Sequence, residues 1–397
     1  MGKIIVAPET LDHSYIPENL PTREKIRNEL SYKISQFFSK ASGRGFRGIH
    51  IWGSVGSGKT ILSRRVAEDL KSVFGRRLIV CYVNCRFSRR VYRVLAQITT
   101  QISPSLPQRG LSKDEFLELI FLAAKEQAQR LLIILDEIDS LFWGDEGEKA
   151  ADMLYSLSRY LERTSLDNFY VATISISRTQ DFLHKWLDPA TRASFIHETK
   201  FLDKYGSKEL LEILKYRATL AFREGTISED SLSFLASFVA NQAYGNARIA
   251  IDLLRLSGEI AEHLNEDSIK PEHIRLAIKE YALIPALDME KLMGLGRHKL
   301  ILLLAVILAL KNTDRSYVTR TTVQRYYQDL CIEYGEEPRK TTQVWRYLKE
   351  IEHELGGIIE VVVSGKNQRG RSTRISINVP LDIFEKNIIK ILRKWES

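Results

Sequence analysis

Cysteine is scarce: Cys81, Cys85 and Cys331 are the only three in 397 residues, an odd set with no paired C-x-x-C. That pattern argues against a secreted disulfide framework and against a thiolate zinc site, and it fits a reducing interior. Long apolar runs are missing too. The longest, residues 300–310, is too short to cross a bilayer and reads as a buried helix. The opening MGKIIVAPET has no sustained apolar stretch after its lysine, and Val6 breaks the myristoylation pattern, so no targeting signal is evident. Repeats and low-complexity tracts are absent, as is any excess of acid. Lys and Arg total 58 against 50 for Asp and Glu, a formal charge of +8. Such a surplus suits an acidic partner such as nucleic acid, or serves solubility alone. The expectation is a soluble, intracellular chain with no membrane partner.

With 44% hydrophobic residues, the chain is long enough for two or three domains, each with its own core. Residues 46–52 are apolar and run into a glycine loop, after which residues 60–70 take helical spacing: strand, loop, helix. Residues 77–85 read as a second strand, 169–176 as a fourth. Between them, residues 130–135 are almost purely branched aliphatic, as a strand buried on both faces should be. Strands alternating with helices predict a parallel sheet wrapped by helices, ending near residue 200. Beyond Lys204 the strand signals stop, and residues 208–222, 229–242, 247–264 and 271–281 read as helices. In the third of these, Ile249, Leu253, Leu256, Ile260 and Leu264 make one apolar stripe. The pattern loosens over 287–297. Three helical segments, IIEVVV, a basic turn and TRISINV then follow, the layout of a winged helix. The predicted division is an α/β nucleotide-binding core over 1–203, an all-helical lid over 204–288 and a winged helix over 289–397.

The octet Gly53-Ser54-Val55-Gly56-Ser57-Gly58-Lys59-Thr60 lies between strand and helix, where a phosphate cradle must lie. Its glycines let the backbone, from Val55 through Ile61, wrap closely enough to aim NH groups at phosphate oxygens. Lys59 supplies charge to the outer phosphates, and the Thr60 hydroxyl can hold magnesium. Residues 131–135 then deliver Asp136 and Glu137 to a strand end. There Asp136 can order a magnesium shell and Glu137 can polarise a water against the terminal phosphate. Arg248, in the first turn of a predicted helix, could reach back to the same phosphate.

In the carboxyl-terminal third, Val344, Leu348, Ile351 and Leu355 form a stripe facing the core and leave Gln343, Arg346 and Glu350 on another face. Arg339 and Lys340 stand at the entrance of that helix. A helix with a basic, polar amino-terminal end can enter a major groove. The turn Ser364-Gly365-Lys366-Asn367-Gln368-Arg369-Gly370-Arg371-Ser372-Thr373-Arg374 follows, with Lys366, Arg369, Arg371 and Arg374 and no acid. It reads as a wing able to lie along a phosphate backbone.

Taken together, SYIPENLPTRE, GSVGSGKT, YVNCRFSRRVYRVLAQI, LLIILDEIDSL and YGNARIAIDLLRLSGEIAE resemble the archaeal origin-recognition initiators, relatives of Orc1 and Cdc6, over essentially the whole chain. The resemblance implies an AAA+ P-loop core with a helical lid and winged helix, ATP or ADP with Mg2+ as cofactors, and duplex DNA at replication origins as partner. Other initiator paralogues, the replicative helicase and a nucleoid-associated cytoplasmic location are implied with it. It further implies that Tyr205 and Arg217 contact nucleotide from the lid, that Tyr15, Ile16 and Leu20 border the adenine, and that Arg248 is the lid sensor. Arg192 falls near the partner-facing arginine. A segment within 103–125 would reach DNA, with Arg109, Gly110 and Lys113 exposed, whereas Phe116, Leu119 and Ile120 read as core. Two positions depart from the family pattern. ISISRTQ offers Arg178 in place of a water-orienting asparagine and cannot accept a hydrogen bond from water, and Asn246 stands where relatives carry aspartate. Both imply binding with slow hydrolysis at most, the behaviour of a switch and not of a clamp-loading motor. A P-loop transcription regulator, which also fuses ATPase, lid and winged helix, is the alternative.

Overall fold

The computed structural model describes residues 4–40, 44–164, 166–281, 289–363 and 373–394. They divide into two compact units, one of Ile16–Lys204 and one that joins the residues up to Tyr15 to those from Tyr205 onward.

The first unit is built on a parallel sheet of β1 (Arg44–Gly53), β2 (Leu78–Asn84), β3 (Arg130–Asp136), β4 (Phe169–Ser177) and β5 (Glu198–Leu202), in the order β2-β3-β4-β1-β5. β3 and β4 are buried along their whole lengths, as the branched aliphatic composition of β3 requires. Alternate side chains serve opposite layers. Leu132 and Ile134 join the helices Glu24–Phe38 and Lys59–Phe74, while Leu131, Ile133 and Leu135 join Val91–Ile102, Lys113–Gln127 and Gly147–Arg163. β5 was not legible in the hydrophobic runs. It is a five-residue edge strand with Lys200 and the half-exposed Phe201 in its middle, and its pairing with β1 supplies the order that its composition lacks.

Between β1 and β4 lies a buried polar trio. His50, 0% exposed, meets Ser175 Oγ through Nδ1 at 2.9 Å and Ser177 Oγ through Nε2 at 3.1 Å.

In the second unit the amino-terminal residues pack with the lid. Glu262 accepts the NH groups of Ile4 and Ile5, at 2.7 and 2.9 Å, and Ile4 and Leu11 enter the lid's core. Helices Ser207–Ala221, Glu229–Gln242, Ala247–His263 and Pro271–Glu280 form that core. The stripe expected on the third of them holds in part: Leu253 is buried and Ile249, Leu256 and Ile260 pack partly against the lid's core, while Leu264 does not. Its buried residues are Ala250, Ile251, Leu253, Leu254, Ser257, Gly258 and Ala261, and Leu264 is 51% exposed. Small residues win that face because Phe222 and Ile5 press against it: a β-carbon at Gly258 would stand 2.9 Å from the Phe222 ring.

The winged helix has helices Arg297–Lys311, Arg320–Glu333 and Thr341–Glu354, then an antiparallel sheet. In the order β6-β8-β7 this comprises β6 (Val318–Thr319), β7 (Ile359–Val363) and β8 (Thr373–Ile377). Three elements join those read from sequence: a short helix, Met289–Gly294, β6, and a last helix, Leu381–Lys394, whose Phe384, Ile388 and Ile391 are buried.

Burial depresses the His50 pKa to about 4, so the folded state holds a neutral ring that the unfolded chain protonates below about 6.5. Its contribution to stability is complete above that unfolded value and is lost as pH falls toward 4, by roughly 3 kcal/mol at the limit. Denaturant unfolding across this window should lose less stability in His50→Gln than in the wild type. Parallel curves would show that the buried ring does not govern it.

Candidate nucleotide site and nucleic-acid face

β1 ends at Gly53 on the phosphate loop. Gly56 and Gly58 take left-handed φ of 76° and 91°, which leaves the loop wrapped around the start of the helix Lys59–Phe74. The first NH groups of that helix have no carbonyl one turn back, which makes its amino terminus an anion cradle. Lys59, 9% exposed, donates to the carbonyls of Gly53 and Ser54, both at 2.7 Å. Ser57 Oγ is buried without a hydrogen-bond partner, Val55 is exposed and Ile61 packs partly into the sheet core. At the end of β3, Asp136 is 2% exposed and its Oδ2 accepts from Thr60 Oγ1 at 2.8 Å and from Tyr82 OH at 2.7 Å. Burial and the adjacent carboxylate push the Tyr82 phenol up to about 12, so it stays a donor. A hydroxyl beside a carboxylate is the hard-oxygen donor pair that a divalent cation with phosphate ligands takes, so these residues fit the ion.

Glu137 directly follows, at a left-handed φ of 51° that is uncommon for a non-glycine residue. Its Oε2 lies 3.5 Å from Arg86 Nη1 and 3.7 Å from Arg178 Nη2, and Arg178 Nε lies 3.9 Å from Asp139 Oδ2. Burial pushes the Asp139 carboxyl up. The β4 end therefore brings Arg178 onto the acidic motif. Arg86 was missed in the sequence. The signal was the register: Asn84 pairs with Asp136, so a residue two beyond Asn84 must lie beside Glu137. The Asn84 side chain turns the chain there by accepting the NH of Arg86 at 2.9 Å.

In the helical unit, Arg217 is 6% exposed, donates to the carbonyl of Thr10 at 2.5 Å and lies over the Tyr15 ring at 5.0 Å. Tyr15, Tyr205 and Arg217 thus share one unit, while Ile16 begins the other. Gly245, at φ 66°, backs onto Tyr205 so tightly that a β-carbon would stand 2.2 Å from its carbonyl oxygen. Asn246 caps the next helix by accepting the NH of Arg248 at 3.0 Å, a role asparagine fills as well as aspartate. Arg248 is exposed. Arg192 folds onto the Leu187 carbonyl and His184, each at 3.2 Å.

On the winged helix, Val344, Leu348, Ile351 and Leu355 are buried as expected. Lys340, exposed, stands at the amino-terminal entrance of the helix Thr341–Glu354. Gln343 is half-buried, and exposed Arg346 lies 3.3 Å from Glu350. Arg339 is exposed and donates to His298 at 3.0 Å. Arg374 lies over the Tyr317 ring at 4.4 Å. Lys366, Arg369 and Arg371 lie outside the described residues. In the core, Arg109 and Gly110 are exposed. Lys113 is half-buried, its ammonium 2.6 Å from Asp152 and 3.4 Å from Asp114, so its charge is already matched. Phe116 and Ile120 are buried and Leu119 half-buried.

Residues 44–179 match the AAA domain, 211–279 the Cdc6 AAA+ ATPase-type lid domain and 290–387 the CDC6 C-terminal winged helix domain. The fold and site define an AAA+ P-loop protein with a lid and a winged helix of the Cdc6 type. Over 397 residues the chain is 30% identical to the ORC1-type DNA replication protein 1 of Archaeoglobus fulgidus, covering 98% of this chain and 93% of that protein. It is 31% identical over 386 residues to the ORC1-type DNA replication protein of Thermococcus onnurineus, with 95% and 89% covered. Cdc6p from Pyrobaculum aerophilum superposes with a TM-score of 0.81 at 29% identity, over 99% of this chain and 100% of that one. The chain belongs to the ORC1-type family of DNA replication proteins.

Two guanidinium groups lie 3.5 and 3.7 Å from the Glu137 carboxylate, near enough to compete with a water for it, and positioning that water is a role of order 10²–10⁴ in rate. Steady-state ATP turnover should therefore rise about tenfold in Arg178→Asn, which removes one cation and supplies an acceptor. Unchanged or slower turnover would mean that Arg178 does not restrain Glu137.

Proposed function

We propose that this replication initiator binds duplex DNA at origins under the control of a bound nucleotide. The observation that carries the reading is the joint presence, in one chain, of the Lys59–Thr60–Asp136 cradle and a winged helix with Arg339, Lys340 and Arg346 exposed at its leading helix. The cradle takes ATP or ADP. Backbone NH groups from Val55 to Ile61 and the Lys59 ammonium hold the phosphates. Thr60 and Asp136 would hold Mg2+, which when bound neutralises charge on the terminal phosphates. Glu137 is the only carboxylate directly after Asp136 that can orient water. Its pairing with Arg86 and Arg178 favours slow turnover, so nucleotide acts as a conformational switch and not as fuel. Arg248, exposed and at a helix start, is the lid residue suited to the terminal phosphate. Tyr205 and Arg217, both buried in the lid, are the further lid residues suited to the nucleotide, with Tyr15 and Ile16 suited to its base. On DNA, Gln343 and Arg346 are suited to base edges, and Arg339, Lys340 and Arg374 to phosphates, with Lys366, Arg369 and Arg371 along the wing and Arg109 a further contact from the core. Lys113 would have to leave Asp152 to join them. Other initiator paralogues and the replicative helicase are the further partners that suit this role.

Lys59→Ala should abolish nucleotide binding, measured by calorimetry, while leaving much of the duplex affinity; equal loss of both would count against separable activities. Replacing Arg369 and Arg371 by Ala should weaken duplex binding and shallow its log–log salt slope by roughly one unit for each phosphate no longer neutralised. A slope equal to wild type takes the wing out of the interface. Mapping the protein along the chromosome separates an origin reader from a promoter reader.

A further inference from the structure

Lid and winged helix belong to one compact unit, and their join is polar in a way that neither the nucleotide cradle nor the DNA face explains. From the lid helix Pro271–Glu280, Arg275 reaches the winged helix while staying 3% exposed. Its Nε donates to the Ile377 carbonyl at 2.7 Å and its Nη2 to the Ser316 carbonyl at 3.4 Å. The guanidinium lies over the Phe234 ring at 5.2 Å, and Glu272, one turn earlier, pairs with Nη1 at 3.2 Å. The other oxygen of Glu272 accepts the NH of Leu381, which opens the last helix, at 3.1 Å. Asp230 accepts the NH of Ser316 at 2.6 Å. Three charged lid side chains thus hold main-chain groups at three points of the winged helix. A buried guanidinium persists only when its charge and its donors are matched, and here Glu272 and two carbonyls match them.

The held points bracket one feature. Ser316 stands two residues before β6, Ile377 ends β8, and the two strands pair Val318 with Ile375 and Thr319 with Arg374. Tyr317, between the held Ser316 and β6, carries Arg374 over its ring. We propose that Arg275 is a positioning residue for DNA binding: through Ser316 and Ile377 it fixes the β6–β8 pair, and so seats Arg374 for a phosphate contact, without touching DNA itself. The proposal rests on the reading of the winged helix as a duplex-binding module. Its physical basis is preorganisation. An arginine already held on a ring whose backbone is anchored loses less freedom on binding than one on a loose strand.

The test uses the full chain and a fluorescent duplex of mixed sequence, with affinity read by anisotropy across a salt series. Arg374→Ala should weaken binding severalfold and shallow the salt slope by about 0.9, the value for one phosphate. Arg275→Met, which fills the same space without donors, should reproduce both changes. The double variant should then bind little more weakly than either single one, because the same interaction is removed twice. An Arg275→Met protein with wild-type affinity and slope, or a double variant whose loss is the product of the single losses, overturns the proposal. Should Arg275→Met not fold, Asp230→Ala loosens Ser316 from a half-buried position and enters the same cycle under the same two outcomes. Wild-type protein that ignores the duplex altogether overturns the DNA reading, a result distinct from a wild type that binds and a cycle that is additive.

Discussion

The hydrogen bond from Thr60 to Asp136 joins the phosphate-loop helix to the end of β3, across 76 residues of chain. Everything proposed for the nucleotide depends on that meeting, and it is enforced by burial on both faces of the sheet. Were β3 to slip by one residue, Leu131, Ile133 and Leu135 would exchange layers with Leu132 and Ile134, and Asp136 would leave Thr60. The aliphatic strand is therefore the device that sets the carboxylate. Tyr82 adds a second donor from β2, which keeps a nearly sealed charge satisfied.

Immediately beyond, the balance of charge turns. Two guanidinium groups approach Glu137 from the ends of β2 and β4, on a residue already in a left-handed backbone conformation. Attraction between unit charges at such distances is of order a few kcal/mol near a protein surface, enough to compete with a water for the carboxylate. On the proposed reading, binding and turnover separate within one site: the cradle and Asp136 stay intact while the group suited to activate water lies beside two guanidinium groups. That is the electrostatic ground for treating the nucleotide as a state and not as a supply of work.

The second unit is organised by a different set of contacts. Its apolar cores are local, one in the lid with the amino-terminal segment and one in the winged helix. Prominent among what joins them is a set of charged lid side chains gripping main chain, with Arg275 at the centre. Polar contacts of this kind fix orientation better than an apolar seam, since each demands a direction as well as a distance.

Sequence alone determined the phosphate loop, the acidic pair, four of the five core strands, the helical lid and the stripe Val344–Leu348–Ile351–Leu355. All of these are written in local periodicity or in contiguous residues. It did not determine β5, whose short, half-exposed alternation gains meaning only against β1. Nor did it determine the whole buried face of the helix Ala247–His263: Leu253 was legible, but close packing buried the small Gly258 and Ala261 and left Leu264, just past the helix, exposed. The approach of Arg86 and Arg178 to Glu137, the burial of Arg217 under the amino-terminal segment, the matching of Lys113 by Asp152, and the hold of Arg275 on the winged helix were decided by tertiary structure alone. Each joins charges or donors far apart in the chain, and the cost of leaving such groups buried and unmatched is a property of the folded surroundings, which no local pattern of residues encodes.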